Sequence, residues 1–201
     1  MGSIEAFILA GGKSRRMGTD KSRLTIDGET FATRIASELA PLTPRISLVG
    51  NNATATGLNH VADVYPEWGA LGGVHAALSN CSAEWALVVA CDYPFVTTDL
   101  FRRLAALRDD FEAVAPVQSD LIPQPLCALY RVQPCLALAE RLIKTGERKP
   151  IALLQSVRTR WTSFDELADL DRSSYFFENI NTPEDYDRAV AESGNLPGRV
   201  Q

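Results

Sequence analysis

Apolar positions follow two rhythms along this chain, short unbroken runs and helical stripes, and the two alternate. Ala6 to Ala10 is apolar without interruption, the pattern of a strand buried on both faces of a sheet. Phe31, Ile35 and Leu39 share one stripe of a helix predicted over 30–39 and ended near Pro41. Ile46 to Val49 predicts a second strand, closed by Gly50-Asn51-Asn52, and His60-Val61-Ala62-Asp63 a third with its acid at the carboxyl end. The glycine cluster Gly69-Ala70-Leu71-Gly72-Gly73 opens a helix over 74–78. Trp85 to Ala90 is the most hydrophobic strand, and it stops at Cys91-Asp92-Tyr93-Pro94. Thr97, Thr98 and Asp99 offer N-cap side chains to a helix through Leu107, and a strand follows over 113–117.

The second half is less regular. Residues 123–130 read as a strand reached through a proline-bounded turn. Pro134 to Lys144 is a helix with Leu136, Ala139, Leu142 and Ile143 on one side, stopped by Gly146. The charged turn Glu147-Arg148-Lys149-Pro150 precedes a shorter helix over 151–155. Thr182 as N-cap, Pro183 at the first position and Asp185 in the first turn start a last helix. Alternating strands and helices predict an α/β fold, a mostly parallel sheet with helices on both faces. In such sheets ligands sit beyond the carboxyl ends of the strands, at a switch point. Leu9 to Gly12, Asp63 and Asp92 all occupy such ends. With no internal repeat and no linker, a single domain over 1–193 is expected, with a flexible tail over 194–201.

Composition narrows the class. A hydrophobic content of 46% and a charged content of 22% are those of an ordinary globular protein. No apolar run approaches the roughly 20 residues of a spanning helix, and no signal-peptide pattern opens the chain, so a cytoplasmic protein without a membrane partner is expected. Met1-Gly2-Ser3 does not complete a myristoylation motif, because position six is Ala6. Cys81, Cys91, Cys127 and Cys135 are widely spaced and only His60 and His75 could join them, which argues against a zinc site. A net charge of −5 without a basic aromatic face argues against nucleic acid.

Against that acidic background, Lys13, Arg15, Arg16, Lys21 and Arg23 crowd cations behind Gly11-Gly12. Glycines let backbone N–H groups approach an anion closely, so the stretch reads as a strand running into a phosphate cradle. The Walker A pattern fails, since Phe7 stands where its first glycine is needed, and the dinucleotide pattern is absent. A Gly-Gly turn followed by a solvated basic loop is the plainer alternative for the tripeptide alone.

The longer string, Leu9-Ala10-Gly11-Gly12 through Ser14, Arg16-Met17-Gly18 and Asp20-Lys21, resembles the signature of molybdenum cofactor guanylyltransferases. That resemblance spans residues 5 to about 190. It implies a Rossmann-like fold of the nucleotide-diphospho-sugar transferase kind and transfer of GMP from GTP to the terminal phosphate of molybdopterin, releasing pyrophosphate. It implies Lys21, Arg16 and Asp92 as catalytic groups, with Mg²⁺ held by Asp92. Nucleotide contacts fall on Leu9, Ala10, Gly11, Gly12, Lys21, Asn51, Asp63, Gly69, Leu71, Gly73 and Asp92. Arg148, Lys149, Asn179 and Asn181 stand on the pterin side, and molybdoenzyme maturation proteins are the implied protein partners. The chain departs from the family pattern at Ala70, where proline is usual, and at Lys149, where a second arginine is usual. Two rivals remain open at this point: a cytidylyltransferase acting on the same pterin, and a non-catalytic carrier that binds nucleotide and cofactor.

Each assignment has a plainer account beside it. Asp92 could cap a neighbouring loop, Asp63 could be an ordinary loop acid, and Lys21 a solvated side chain. Gly69 to Gly73 could serve only tight packing at a helix start, and Asn181 an Asx turn into the last helix.

Overall fold

The computed structural model describes residues 2–10, 25–50, 57–180 and 182–193. Nine strands are assigned among them: β1 (Ile4–Leu9), β2 (Thr25–Ile26), β3 (Glu29–Thr30), β4 (Ile46–Val49), β5 (Asn59–Val61), β6 (Trp85–Ala90), β7 (Ala113–Pro116), β8 (Cys127–Arg131) and β9 (Thr159–Thr162). The helices are α1 (Phe31–Leu39), α2 (Gly69–Asn80), α3 (Thr98–Ala106), α4 (Val132–Lys144), α5 (Ile151–Ser156) and α6 (Pro183–Ser193). Seven strands form one sheet in the order β5-β4-β1-β6-β8-β7-β9, while β2 and β3 make a separate hairpin.

The unbroken apolar runs explain the centre of this sheet. β1 pairs in parallel with β4 on one side and β6 on the other. Alternate residues of β1 go to opposite cores: Ala6 and Ile8 into one, Phe7 and Leu9 into the other. β6 divides in the same way, with Leu87 and Val89 on the first face and Ala86 and Val88 on the second. Buried residues of α1 and α3 cover the first face, and those of α2, α4 and α5 the second. The chain therefore leaves β1 along one face and returns to β6 along the other, which places the switch point at the carboxyl end of β1.

The mostly parallel α/β architecture stands as read from the sequence, and it differs in detail. The sheet is not wholly parallel: β8 runs against both β6 and β7. Residues 117–126 contain no helix, and the chain turns back tightly there, Gln118 N donating to Ile122 O at 2.9 Å and Leu121 N to Gln118 O at 2.9 Å. A tight connection of this kind joins β7 to β8 as an antiparallel pair. The strand expected over 123–130 accordingly begins only at Cys127, with Pro123 in an isolated bridge to Val117. The third predicted strand covers Asn59–Val61 and ends before Asp63, and α2 begins at Gly69 rather than Val74. β9 and the β2–β3 hairpin were not expected at all. The hairpin turns through Asp27 and Gly28, at φ 54° and 79°, the Asp-Gly signature of a two-residue turn.

The caps expected at Thr97 and Thr182 are present, and Thr30, expected inside the first helix, caps it instead: Thr97 and Thr30 side chains accept from Leu100 N and Thr33 N at the starts of α3 and α1. Thr182 Oγ1 accepts from Asp185 N at 3.1 Å while the Asp185 carboxylate accepts from Thr182 N at 3.0 Å, a reciprocal cap. No helix among the described residues is long and apolar enough to cross a membrane.

Candidate active site

Backbone bonds at the carboxyl edge of the sheet bring the first half of the site together. Ala10 N donates to Val49 O at 2.8 Å, Cys91 N to Leu9 O at 3.0 Å and Gly50 N to Val61 O at 3.1 Å. The ladder thus extends one residue past β1, β4 and β6, and the chain after each strand emerges side by side. Asp92 follows at this edge from β6 and Asp63 from β5, as the sequence predicts. Gly11, Gly12, Arg16, Lys21, Asn51 and Asn181 lie outside the described residues.

Asp63 is half-buried, and its Oδ1 accepts from Tyr65 N at 2.8 Å, an Asx turn. Immediately beyond, α2 starts without a side-chain cap, and Gly69 has φ +60°. A Cβ on Gly72 would lie 2.6 Å from Tyr65 O and 3.4 Å from Asp63 Oδ1, and one on Gly73 would lie 3.3 Å from Leu9 Cδ1. Those two glycines let the helix start close against the Asp63 turn and the last residue of β1. Packing alone therefore explains Gly72 and Gly73, whereas a Cβ on Gly69 would meet open space. Leu71 is wholly buried, so its side chain belongs to the core, and its N–H donates to Arg148 O at 3.3 Å.

Arg148 and Lys149 sit on this same face of the sheet. The Arg148 guanidinium lies 4.9 Å from the Trp68 ring centre and donates to Glu67 O at 3.1 Å. Glu147 Oε1 accepts from both Arg148 N and Lys149 N at 2.8 Å, and those two amides hold its carboxyl below the usual range. The charged turn is thereby docked on the start of α2.

Asn179 stands on the other face, beside Asp92. Ile180 N donates to Asp92 O at 3.3 Å, and the Asn179 side chain stands near the Tyr93 hydroxyl. Tyr93 is buried; its hydroxyl donates to Gln124 Oε1 at 2.7 Å, and Gln124 Nε2 donates to Ile122 O at 3.3 Å. Burial first, and then the negative charge of Asp92, push the Tyr93 phenol well above its ordinary range. It stays protonated and keeps donating to Gln124. The residues implied for the pterin thus divide: Asn179 adjoins Asp92, while Arg148 and Lys149 flank the start of α2.

A small third core joins the elements around Asp92. Ile26 and Phe31 from the hairpin and α1, Phe95 from the turn after Asp92, and Ile180 pack together, with Tyr175 and Tyr186 against them. Tyr186 donates from its hydroxyl to Thr25 O at 2.6 Å. Tyr93, Gln124 and Tyr186 were not singled out as site residues from the sequence. Their partners lie far apart in the chain, so no local spacing marks them.

No group of three or more His, Cys, Asp or Glu among the described residues could hold a metal ion. The donor set around Asp92 suits a hard cation that arrives with its own ligands, since Mg²⁺ commonly takes one or two carboxylates and completes its shell from phosphate and water. Burial pushes the Cys81 and Cys135 thiols up to about 12 and raises Cys127 as well, so all three are protonated and poor nucleophiles.

Residues 6–160 match the family model described as the MobA-like NTP transferase domain. The chain is 33% identical over 197 residues to a probable molybdenum cofactor guanylyltransferase of Pelotomaculum thermopropionicum, covering 96% of this chain and 95% of that one. It is 31% identical over 196 residues to the molybdenum cofactor guanylyltransferase of Desulfosudis oleivorans, covering 95% and 96%. Among solved structures, molybdopterin-guanine dinucleotide biosynthesis protein A from Archaeoglobus fulgidus aligns with a TM-score of 0.82 at 24% identity, over 96% of this chain and all of that one. The 2-C-methyl-D-erythritol 4-phosphate cytidylyltransferase of Thermus thermophilus aligns at 0.68 with 14% identity, over 94% and 98%, and shares the fold. Strand-end acids, the glycine-started helix and these matches over most of its length lead to one conclusion: the chain belongs to the MobA-like NTP transferase family and is a nucleotidyltransferase.

Proposed function

We propose that this protein transfers GMP from GTP to the terminal phosphate of the molybdenum cofactor's pterin, with pyrophosphate leaving. The observation that carries the reading is the position of Asp92: it stands at the carboxyl edge beside β1, and its carbonyl is bonded to the segment that presents Asn179. The relatives named as guanylyltransferases supply the substrates, GTP and molybdenum cofactor.

In the reaction a phosphate oxygen of the pterin attacks the α-phosphorus of GTP in line. The new P–O bond forms as the bond from the α-phosphorus to the bridging oxygen breaks, and the electron pair leaves with pyrophosphate. Mg²⁺, when bound, neutralises charge on the phosphate oxygens, and Asp92 is the residue that would hold it. Gly11, Gly12, Arg16 and Lys21 are assigned to the triphosphate, as amide donors and point charges. The start of α2 at Gly69 and Gly73, with Asp63, is assigned to the nucleoside, and Leu71 contributes through its backbone. Asn179, Asn181, Arg148 and Lys149 are assigned to the pterin. Protein partners in molybdoenzyme maturation and a cytoplasmic location complete the reading.

Pyrophosphate release measured with GTP and with CTP, in the presence of molybdopterin, tests it. Turnover with GTP and little with CTP is the expected result. Preference for CTP would make the protein a cytidylyltransferase, and no release with either would make it a carrier.

A further inference from the structure

Arg34 is a charged residue in the interior of α1, with its side chain only 6% exposed. A buried guanidinium is costly unless hydrogen bonds and an opposite charge compensate it. Here Nε donates to Pro94 O at 3.0 Å, one NH₂ group donates to Asp27 Oδ2 at 3.3 Å, and the guanidinium carbon lies 6.0 Å from the centre of the Phe95 ring. Each contact has a definite place in the site. Pro94 lies in the turn Tyr93–Val96, directly after the turn Ala90–Tyr93 that carries Asp92, and Asp27 is the left-handed corner of the β2–β3 hairpin. An apolar residue at 34 could fill the space but could not join those two points. The planar fork of arginine can donate in two directions at once, whereas lysine offers one ammonium on a flexible stem.

We infer that Arg34 is a positioning residue for Asp92: by bonding Pro94 O and Asp27 together it anchors the turn that follows Asp92 and so helps hold the Asp92 carboxylate for the metal-bound nucleotide. This rests on the functional reading given above. A purely architectural arginine would change stability without distinguishing metal-bound from metal-free nucleotide. A residue that aims a metal-holding carboxylate distinguishes them, because only the metal-bound form uses that carboxylate.

The test is calorimetric titration of Arg34→Lys and Asp27→Asn with Mg·GTP, and with GTP in excess chelator, alongside thermal melts. Partners that orient metal-holding groups typically change affinity by about 10- to 100-fold when removed. Arg34→Lys is expected to weaken Mg·GTP binding by about tenfold, and Asp27→Asn by a smaller factor, with metal-free GTP binding nearly unchanged in both. Equal losses with and without Mg²⁺, or native Mg·GTP affinity in both variants, would overturn the positioning role. Should Arg34→Lys fail to fold, Asp27→Asn decides alone. Asp92→Asn is measured beside them: if it binds Mg·GTP as the native protein does, the functional reading itself fails, whereas loss there with native behaviour at 34 and 27 removes only the role of Arg34.

Discussion

Asp92 and Tyr93 are adjacent in sequence and opposite in chemistry, a carboxylate assigned to a metal and a phenol kept protonated behind it. Replacing Asp92 by Ala should reduce nucleotidyl transfer by roughly 10²- to 10³-fold, the scale of removing one electrostatic stabiliser from an enzyme site. Steady-state pyrophosphate release measures it, and unchanged turnover would remove Asp92 from the chemistry. Tyr93→Phe keeps the ring in its core and deletes only the hydroxyl that donates to Gln124 beside Asn179. Leaving buried polar groups without that partner should cost about 1–3 kcal/mol of stability. With the hydroxyl beside Asn179 gone, KM for the pterin should rise while KM for GTP stays near native, and equal changes in both would contradict the assignment. The strand-end places of Asp92 and Asp63 were legible in the sequence because each follows an apolar run ending in a polar turn. Arg34, Tyr93 and Gln124 were not, since 60 residues separate Arg34 from Pro94 and 31 separate Tyr93 from Gln124.

At the scale of elements, the start of α2 shows how glycine serves packing and backbone shape in different positions. Gly72→Ala places a Cβ against Tyr65 O, a backbone atom that cannot swing away, and should destabilise the fold by about 1–3 kcal/mol through overpacking. It should also displace the Asp63 turn and weaken GTP binding, which chemical denaturation and nucleotide titration would measure together. Native stability in this variant would show that the contact yields freely. The helix itself was expected, but its beginning was placed late, because glycine is a poor helix former and its cluster reads as a loop. The unexpected β9 is the polar edge segment Thr159–Thr162, three of whose four residues are only half-buried, so it lacks the apolar run that exposed β1 and β6. The direction of β8 depended on whether residues 117–126 held a crossover helix, which hydrophobic periodicity alone did not decide. The β2–β3 strands are two residues each, too short for an alternation to register, although Asp27-Gly28 marked their turn.

For the whole molecule, acid should loosen the fold through His75. This buried side chain stands between α2 and α4, with Glu140 Oε1 3.9 Å from Nε2 and the Tyr65 ring 4.9 Å away. Burial lowers its pKa below 6.5, and the charges of Glu140 and Asp63 offset only part of that. The unfolded chain therefore takes up a proton before the folded one does. Stability held above pH 6.5 should be lost as pH falls through the depressed folded value. His75→Gln should lose less melting temperature than the native protein between pH 7.5 and 5.5, and equal losses would assign the acid sensitivity elsewhere.

The functional account rests on one geometric claim, that a metal-bound nucleotide lies across the carboxyl edge between β1 and Asp92. A crystal structure of the protein with GTP and Mg²⁺ tests it directly. The expected result is a magnesium ion about 2.1 Å from an oxygen of Asp92, with the triphosphate at Gly11 and Gly12 and the base at the start of α2. A nucleotide bound elsewhere, or a magnesium ion with no contact to Asp92, would contradict it.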